Sequence, residues 1–137
     1  MNNIELQGKV RSAMHTLVNE NGIVSPVEVL MRVGVLSKDD YENWRFGRVP
    51  YLEKVCKCNL GKLSTINREI RIYTKKANLK PSWTFYKKWG NKKGQKTIQL
   101  RFSKSGDEQI ERLYATHYVS SQVVRQAKER KEVVESD

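Results

Sequence analysis

At Lys80-Pro81-Ser82 the hydrophobic period of this chain changes, and that change sets its fold class. Upstream, apolar residues return every three or four positions, the spacing of one helix face. Downstream they alternate, Trp83, Phe85 and then Ile98, Leu100 and Phe102, the period of a strand with one buried side. A chain with both regimes in succession reads as α+β: mostly helical, with a two-stranded antiparallel hairpin.

The helical part is punctuated. Leu6, Val10, Ala13, Met14, Leu17 and Val18 form a stripe over 4–20, which Asn21-Gly22 ends. Ser25-Pro26-Val27-Glu28 opens a second helix, with serine to cap, proline in the first position and glutamate three residues on. Ser37-Lys38-Asp39-Asp40 opens a third, carrying Tyr41 and Trp44 and closed near Gly47. Pro50 suits the start of a short fourth helix, and a longer fifth runs over 64–78. The residues 59–63 between them have the length of a helix-turn-helix turn.

In the predicted hairpin, 83–102, Trp83, Phe85 and Trp89 share one side and are expected to face the core. Tyr86 lies on the other side and is a candidate for stacking on a base. The glycine-bearing loop 90–96 makes a basic tip. Ser105-Gly106-Asp107-Glu108 reads as another capping box, before a helix with Ile110, Leu113, Tyr114 and His117 on one face. Residues 1–119 are expected to form a single globular domain, and 120–137 a frayed helix or disordered tail.

Charge is distributed unevenly. The chain carries a net +11 over 137 residues, and the segment 71–104 holds 11 basic and no acidic residues. The remaining segments cancel one another. A single-sign block repels itself and raises the local potential, and a phosphate backbone is a common partner for such a block. On a helical wheel, Ile66, Ile70, Tyr73 and Ala77 fall within about 40° of one direction and Ser64, Arg68, Arg71 and Lys75 within about 40° of the opposite one. A helix followed by a basic hairpin resembles the arrangement of winged-helix domains, in which the helix enters the major groove and the hairpin touches the flanking backbone. The candidate nucleic-acid-binding residues are therefore Arg68, Arg71 and Lys75 on the helix and Tyr86, Lys87, Lys88, Lys92, Lys93, Lys96 and Arg101 on the hairpin.

Other chemistry finds little purchase. Cys56 and Cys58 are two apart and the histidines, His15 and His117, are remote, so no four-ligand metal set is spaced for closure. Gly61-Lys62-Leu63-Ser64 lacks the first glycine of a phosphate loop and separates lysine from serine. No nucleophile, base and carboxylate stand at catalytic spacing. No apolar run reaches the length of a membrane span and the N-terminus lacks a secretory pattern, so the expected location is the cytoplasm. The expectation is a non-enzymatic nucleic-acid-binding protein, a regulator, without metal or cofactor, preferring DNA over RNA. The alternative is a protein–protein interaction module whose basic surface docks on an acidic partner.

Overall fold

The structure, a computed structural model, describes residues 2–123. Helix α1 (Asn3–Asn21) leads to strand β1 (Ile23–Val24), then α2 (Pro26–Val33) and α3 (Lys38–Arg45). A 3-10 helix (Leu52–Val55) precedes α4 (Leu60–Lys76), strand β2 (Lys80–Trp83), α5 (Glu108–Ala115) and β3 (Thr116–Val119). The protein is α+β, mostly helical with a small antiparallel sheet.

Local chemistry starts and stops these helices where the sequence marks them. The Ser25 hydroxyl accepts the Glu28 N–H at 3.2 Å and donates to its carboxylate at 3.0 Å, while Ser37 accepts the Asp40 N–H at 3.1 Å. Gly22 ends α1 in the left-handed region at φ 71°, its N–H bonded to the Val18 carbonyl. A serine–aspartate start is also found at α5, but the cap is Asp107 itself, which accepts from the Gln109 and Ile110 N–H groups.

Leu6, Val10, Met14 and Leu17 of α1 are buried, as are Leu63, Ile66 and Ile70 of α4, and the two helices form the main helical contact. A second centre is aromatic. Trp44 is fully buried, with Phe102 at 5.1 Å and Tyr86 at 5.4 Å between ring centroids, and Tyr114 stacks on Phe102 at 5.5 Å. The Trp44 indole N–H donates to the Arg101 carbonyl at 2.8 Å, so its polar edge is satisfied inside the core. This cluster joins α3, the segment after β2 and α5.

Several sequence expectations change. Helix α4 begins at Leu60, not at 64, because Asn59 caps it by accepting the Lys62 N–H at 2.8 Å. Residues 60–63 are thus its first turn, and the connection that suggested a helix-turn-helix is not there. The fourth helix shrinks to the 3-10 helix, whose first flanking residue, Tyr51, gives no side-chain cap. The sheet is not built from the predicted hairpin. Its strand order is β1-β3-β2, with β3 antiparallel to both neighbours: Val24 faces Tyr118 on one side and Pro81 faces Tyr118 on the other. Pro81 fits because β2 is an edge strand and can spare an N–H. His117 lies in β3, not on the preceding helix.

The segment 84–107 lies between β2 and α5, and within it the hairpin is reduced to one antiparallel bridge, Lys87 with Gln99. The Lys88 N–H donates to the Ile98 carbonyl and the Leu100 N–H to the Tyr86 carbonyl, both at 2.8 Å. The ladder goes no further because Tyr86, Leu100 and Phe102 turn into the core and hold this ribbon by side chains instead. At the end of β3, the Ser120 N–H donates to the Gly22 carbonyl and the Ser121 hydroxyl to the Asn78 carbonyl, tying the chain back to the body. The rest of the expected tail, 124–137, lies outside the described residues.

Candidate functional site

The outer face of α4 is the first part of the site. Leu63, Ile66, Ile70 and Thr74 are buried, which turns Ser64, Arg68, Arg71 and Lys75 outward, and all four are exposed. Glu69, the acid nearest to this row in sequence, points the other way. It is 6% exposed and accepts from the Arg11 guanidinium at 3.0 Å, so its charge is answered from α1. The ion pairs among the described residues, Arg11–Glu69, Arg32–Glu20 and Arg112–Glu108, use no residue of 70–106. Among the described residues, the cationic block forms no ion pair with a carboxylate. Lys76 and Lys80, exposed at the end of α4 and the start of β2, extend the row. The acid-free run was the signal for them.

Arg71 and Lys75 also border a concavity of about 580 Å³ between α4 and the sheet, with Thr74, Pro81, Thr116 and Tyr118. Burial raises the Tyr118 phenol above its ordinary value, and the Arg71 charge pulls it back down.

The second part is the ribbon. Lys87, Lys92, Lys93 and Lys96 are exposed. The tip is ordered by its own turn: the Lys92 N–H donates to the Gln95 side chain at 2.9 Å, the Gln95 N–H to the Lys92 carbonyl at 3.0 Å, and Gly94 takes a positive φ of 90°. Lys88 is half-buried. Its aliphatic stem passes so close to Gly47 that a Cβ there would come within 2.9 Å of it. The ribbon is anchored on the end of α3: the Trp89 N–H donates to the Arg45 carbonyl at 2.7 Å, and the Trp89 ring meets Phe46 edge-on at 5.5 Å. The α4 row and the ribbon tip therefore stand on different supports.

Five of the expected hairpin residues need correction. Tyr86 is only 7% exposed; its ring packs on Trp44 and Phe102 and its hydroxyl meets the His117 ring nitrogen at 3.0 Å. It has no open face for a base. Trp83, Phe85 and Trp89, expected in the core, are 56%, 46% and 38% exposed. Arg101 is exposed, but its guanidinium donates to the carbonyls of Ser103, at 2.7 Å, and Lys104, and lies over the Tyr51 ring at 5.6 Å. Its fork is spent on holding its own loop.

The remaining reactive groups stay apart. His15 bonds to Asn19 and Tyr73, and His117 to Tyr86, so the two histidines do not meet. Cys56 and Cys58 are free thiols; burial pushes Cys56 up to about 12 and raises Cys58 too, away from the reactive thiolate. Among the described residues no three His, Cys, Asp or Glu gather as a metal site, and no helix is long and apolar enough to cross a membrane. Comparison with protein families, curated proteins and solved structures gives no match.

Proposed function

We propose that this chain is a non-enzymatic nucleic-acid-binding protein with a winged-helix-like arrangement, preferring DNA over RNA and acting as a regulator. The observation that carries the reading is the exposed row Arg68, Arg71 and Lys75 on α4, with the neighbouring acid Glu69 turned inward and paired. A helix with cations on its solvent face matches the width of the major groove and the charge of its phosphate walls. In this reading the ribbon within 83–102 follows the basic helix as a wing would, and its lysines at 92, 93 and 96 grip the neighbouring backbone. Arg68 or Arg71 is suited to guanine, whose two major-groove acceptors match a guanidinium fork.

The test is a mobility shift at low salt with random duplex DNA, single strands and structured RNA, comparing the native chain with an Arg68→Gln, Arg71→Gln, Lys75→Gln variant. The expected result is duplex binding that the variant weakens while its melting temperature is kept. Absence of binding to all three nucleic acids overturns the proposal and favours an acidic protein partner for the same surface.

A further inference from the structure

A cleft of about 590 Å³ opens between α4 and α5 on the side of α4 next to the cationic row. Its volume lies in the range of small-molecule sites, about 300–1,000 Å³. Helix α4 lends it a single stripe, Leu60, Ser64, Asn67 and Arg71, spaced four, three and four residues apart. That stripe covers about 16 Å of helix at 1.5 Å per residue. It runs from an apolar end, where Leu60 is 52% exposed, through two neutral polar groups, to a cationic end. Helix α5 faces it with Ile110, Leu113 and Tyr114, and the loop before α5 adds Lys104.

Charge says what such a cleft favours. Arg71 and Lys104 are exposed and neither takes part in the ion pairs among the described residues. The one carboxylate of the wall, Glu53, already has both oxygens in use. One accepts the Lys104 backbone N–H at 2.8 Å and the other the Tyr114 hydroxyl at 2.7 Å. A ligand therefore meets an apolar floor and two cations set against one carboxylate that is held by its own hydrogen bonds, a wall of net positive charge. Water satisfies the cations but not Leu60, Ile110 and Leu113, and an uncharged apolar ligand does the reverse.

From this we infer that the cleft between α4 and α5 binds a small amphipathic organic anion, an aromatic or aliphatic body carrying one carboxylate, sulfonate or phosphate. The body lies on Leu60, Ile110 and Leu113, and Arg71 and Lys104 receive the charge. Because Arg71 also belongs to the α4 row, occupancy competes with nucleic acid for that side chain. The coupling rests on the function proposed above; the site itself does not.

The full chain is titrated with 8-anilino-1-naphthalenesulfonate, an aromatic anion whose fluorescence reports burial, and with its neutral analogue N-phenyl-1-naphthylamine. One saturable site per chain is expected, with the neutral dye about tenfold weaker, the worth of a charge-assisted contact. Arg71→Gln with Lys104→Gln removes that difference, Leu60→Ser weakens both dyes, and Lys92→Gln with Lys93→Gln changes neither. Each substituted side chain is at least one-third exposed, so a melting curve suffices to confirm that the variants fold. Non-saturable binding, equal affinity for the two dyes, or equal sensitivity to the Lys92 and Lys93 changes overturns the site. So does a dimer in sedimentation equilibrium that excludes the dye. Dye at saturation is then expected to lower duplex affinity about fivefold. Unchanged duplex affinity with dye bound overturns the coupling alone, whereas absence of duplex binding without dye overturns the nucleic-acid reading and leaves the dye site standing.

Discussion

Arg45 and Trp89 are joined twice. The Arg45 carbonyl accepts the Trp89 N–H at 2.7 Å, and the Arg45 guanidinium carbon lies 4.6 Å from the centre of the Trp89 ring. The same guanidinium stands 5.0 Å from the Tyr86 ring. One side chain at the end of α3 thus spans an exposed and a buried aromatic of the ribbon. It fixes the base of the ribbon while the tip lysines stay outside. This is why a segment with a single strand bridge has a defined place.

Replacing Arg45 with methionine removes both cation–ring contacts and leaves the backbone bond. Such contacts contribute about 0.5–2 kcal/mol each according to their exposure. The Arg45 Nε is buried and has no partner among the described residues, so its removal also relieves a stranded donor and offsets part of the loss. A net destabilisation of about 1 kcal/mol is expected for Arg45→Met in urea unfolding. A neutral or stabilising result shows that the stranded donor outweighs the ring contacts.

Burial of Tyr86 and His117 ties stability to pH at both ends of the scale. Burial lowers His117 below its ordinary 6.5, against a smaller raising effect of Glu28. The unfolded chain then takes up the proton first, so this contribution is complete above 6.5 and is lost as pH falls toward the folded value. Burial pushes the Tyr86 phenol from 10.0 up to about 12, so its contribution is complete below 10.0 and is lost between 10.0 and about 12. Urea midpoints measured across this range should show a flatter acid limb for His117→Gln and a flatter alkaline limb for Tyr86→Phe. Comparison with the native chain is needed because burial raises Tyr114 and Tyr118 as well. Slopes unchanged by either substitution refute the assignment.

The parts of the fold that were legible in the sequence are those fixed within four residues. Ser25 and Ser37 cap because a hydroxyl, an N–H two or three residues on and an extended backbone suffice. The outward row of α4 was legible because a helix wheel needs only one buried stripe. Strands β1 and β3 were not. Two residues, Ile23 and Val24, are too few to display a period, and Thr116–Val119 follow α5 directly, with no breaker between them. Their pairing is a contact between distant parts of the chain. The ribbon shows a subtler limit. Alternation states which residues share a side but not which side is inside. Tyr86 went in because Trp44, Phe102 and a hydrogen-bonding partner, His117, waited there, and Trp83 ended up at the edge of the sheet instead.

That inversion has a measurable consequence for the aromatics. Tyr86→Ala empties part of the cluster around Trp44 and is expected to cost about 3–4 kcal/mol, as for other large-to-small changes in cores. Trp83→Ala and Phe85→Ala remove rings whose centroids lie 4.3 Å apart and that are about half exposed to solvent. Each is expected to cost less than about 1.5 kcal/mol, since the area returned to water is only a fraction of the ring. Chemical denaturation of the three variants decides it; a larger loss for Trp83→Ala than for Tyr86→Ala contradicts the packing described.

The two basic surfaces separate in their response to salt. If about six phosphates are neutralised on B-DNA, log affinity falls with log salt at a slope near −5. Arg68, Arg71 and Lys75 stand on α4, and Lys92, Lys93 and Lys96 on the ribbon fastened to α3, so the two sets share no support and their effects should add. Glutamine at the three α4 positions is expected to reduce the slope by about 2.7, as is glutamine at the three tip positions, because each removes up to three phosphate contacts. Changing all six should leave almost no salt dependence. The α4 set is distinguished by a second readout: contacts to base edges discriminate sequences, and phosphate contacts do not. Loss of sequence preference is therefore expected on changing α4 alone. A slope that survives the tip changes assigns the interface to α4, and one that survives the α4 changes removes the observation on which the proposed function stands.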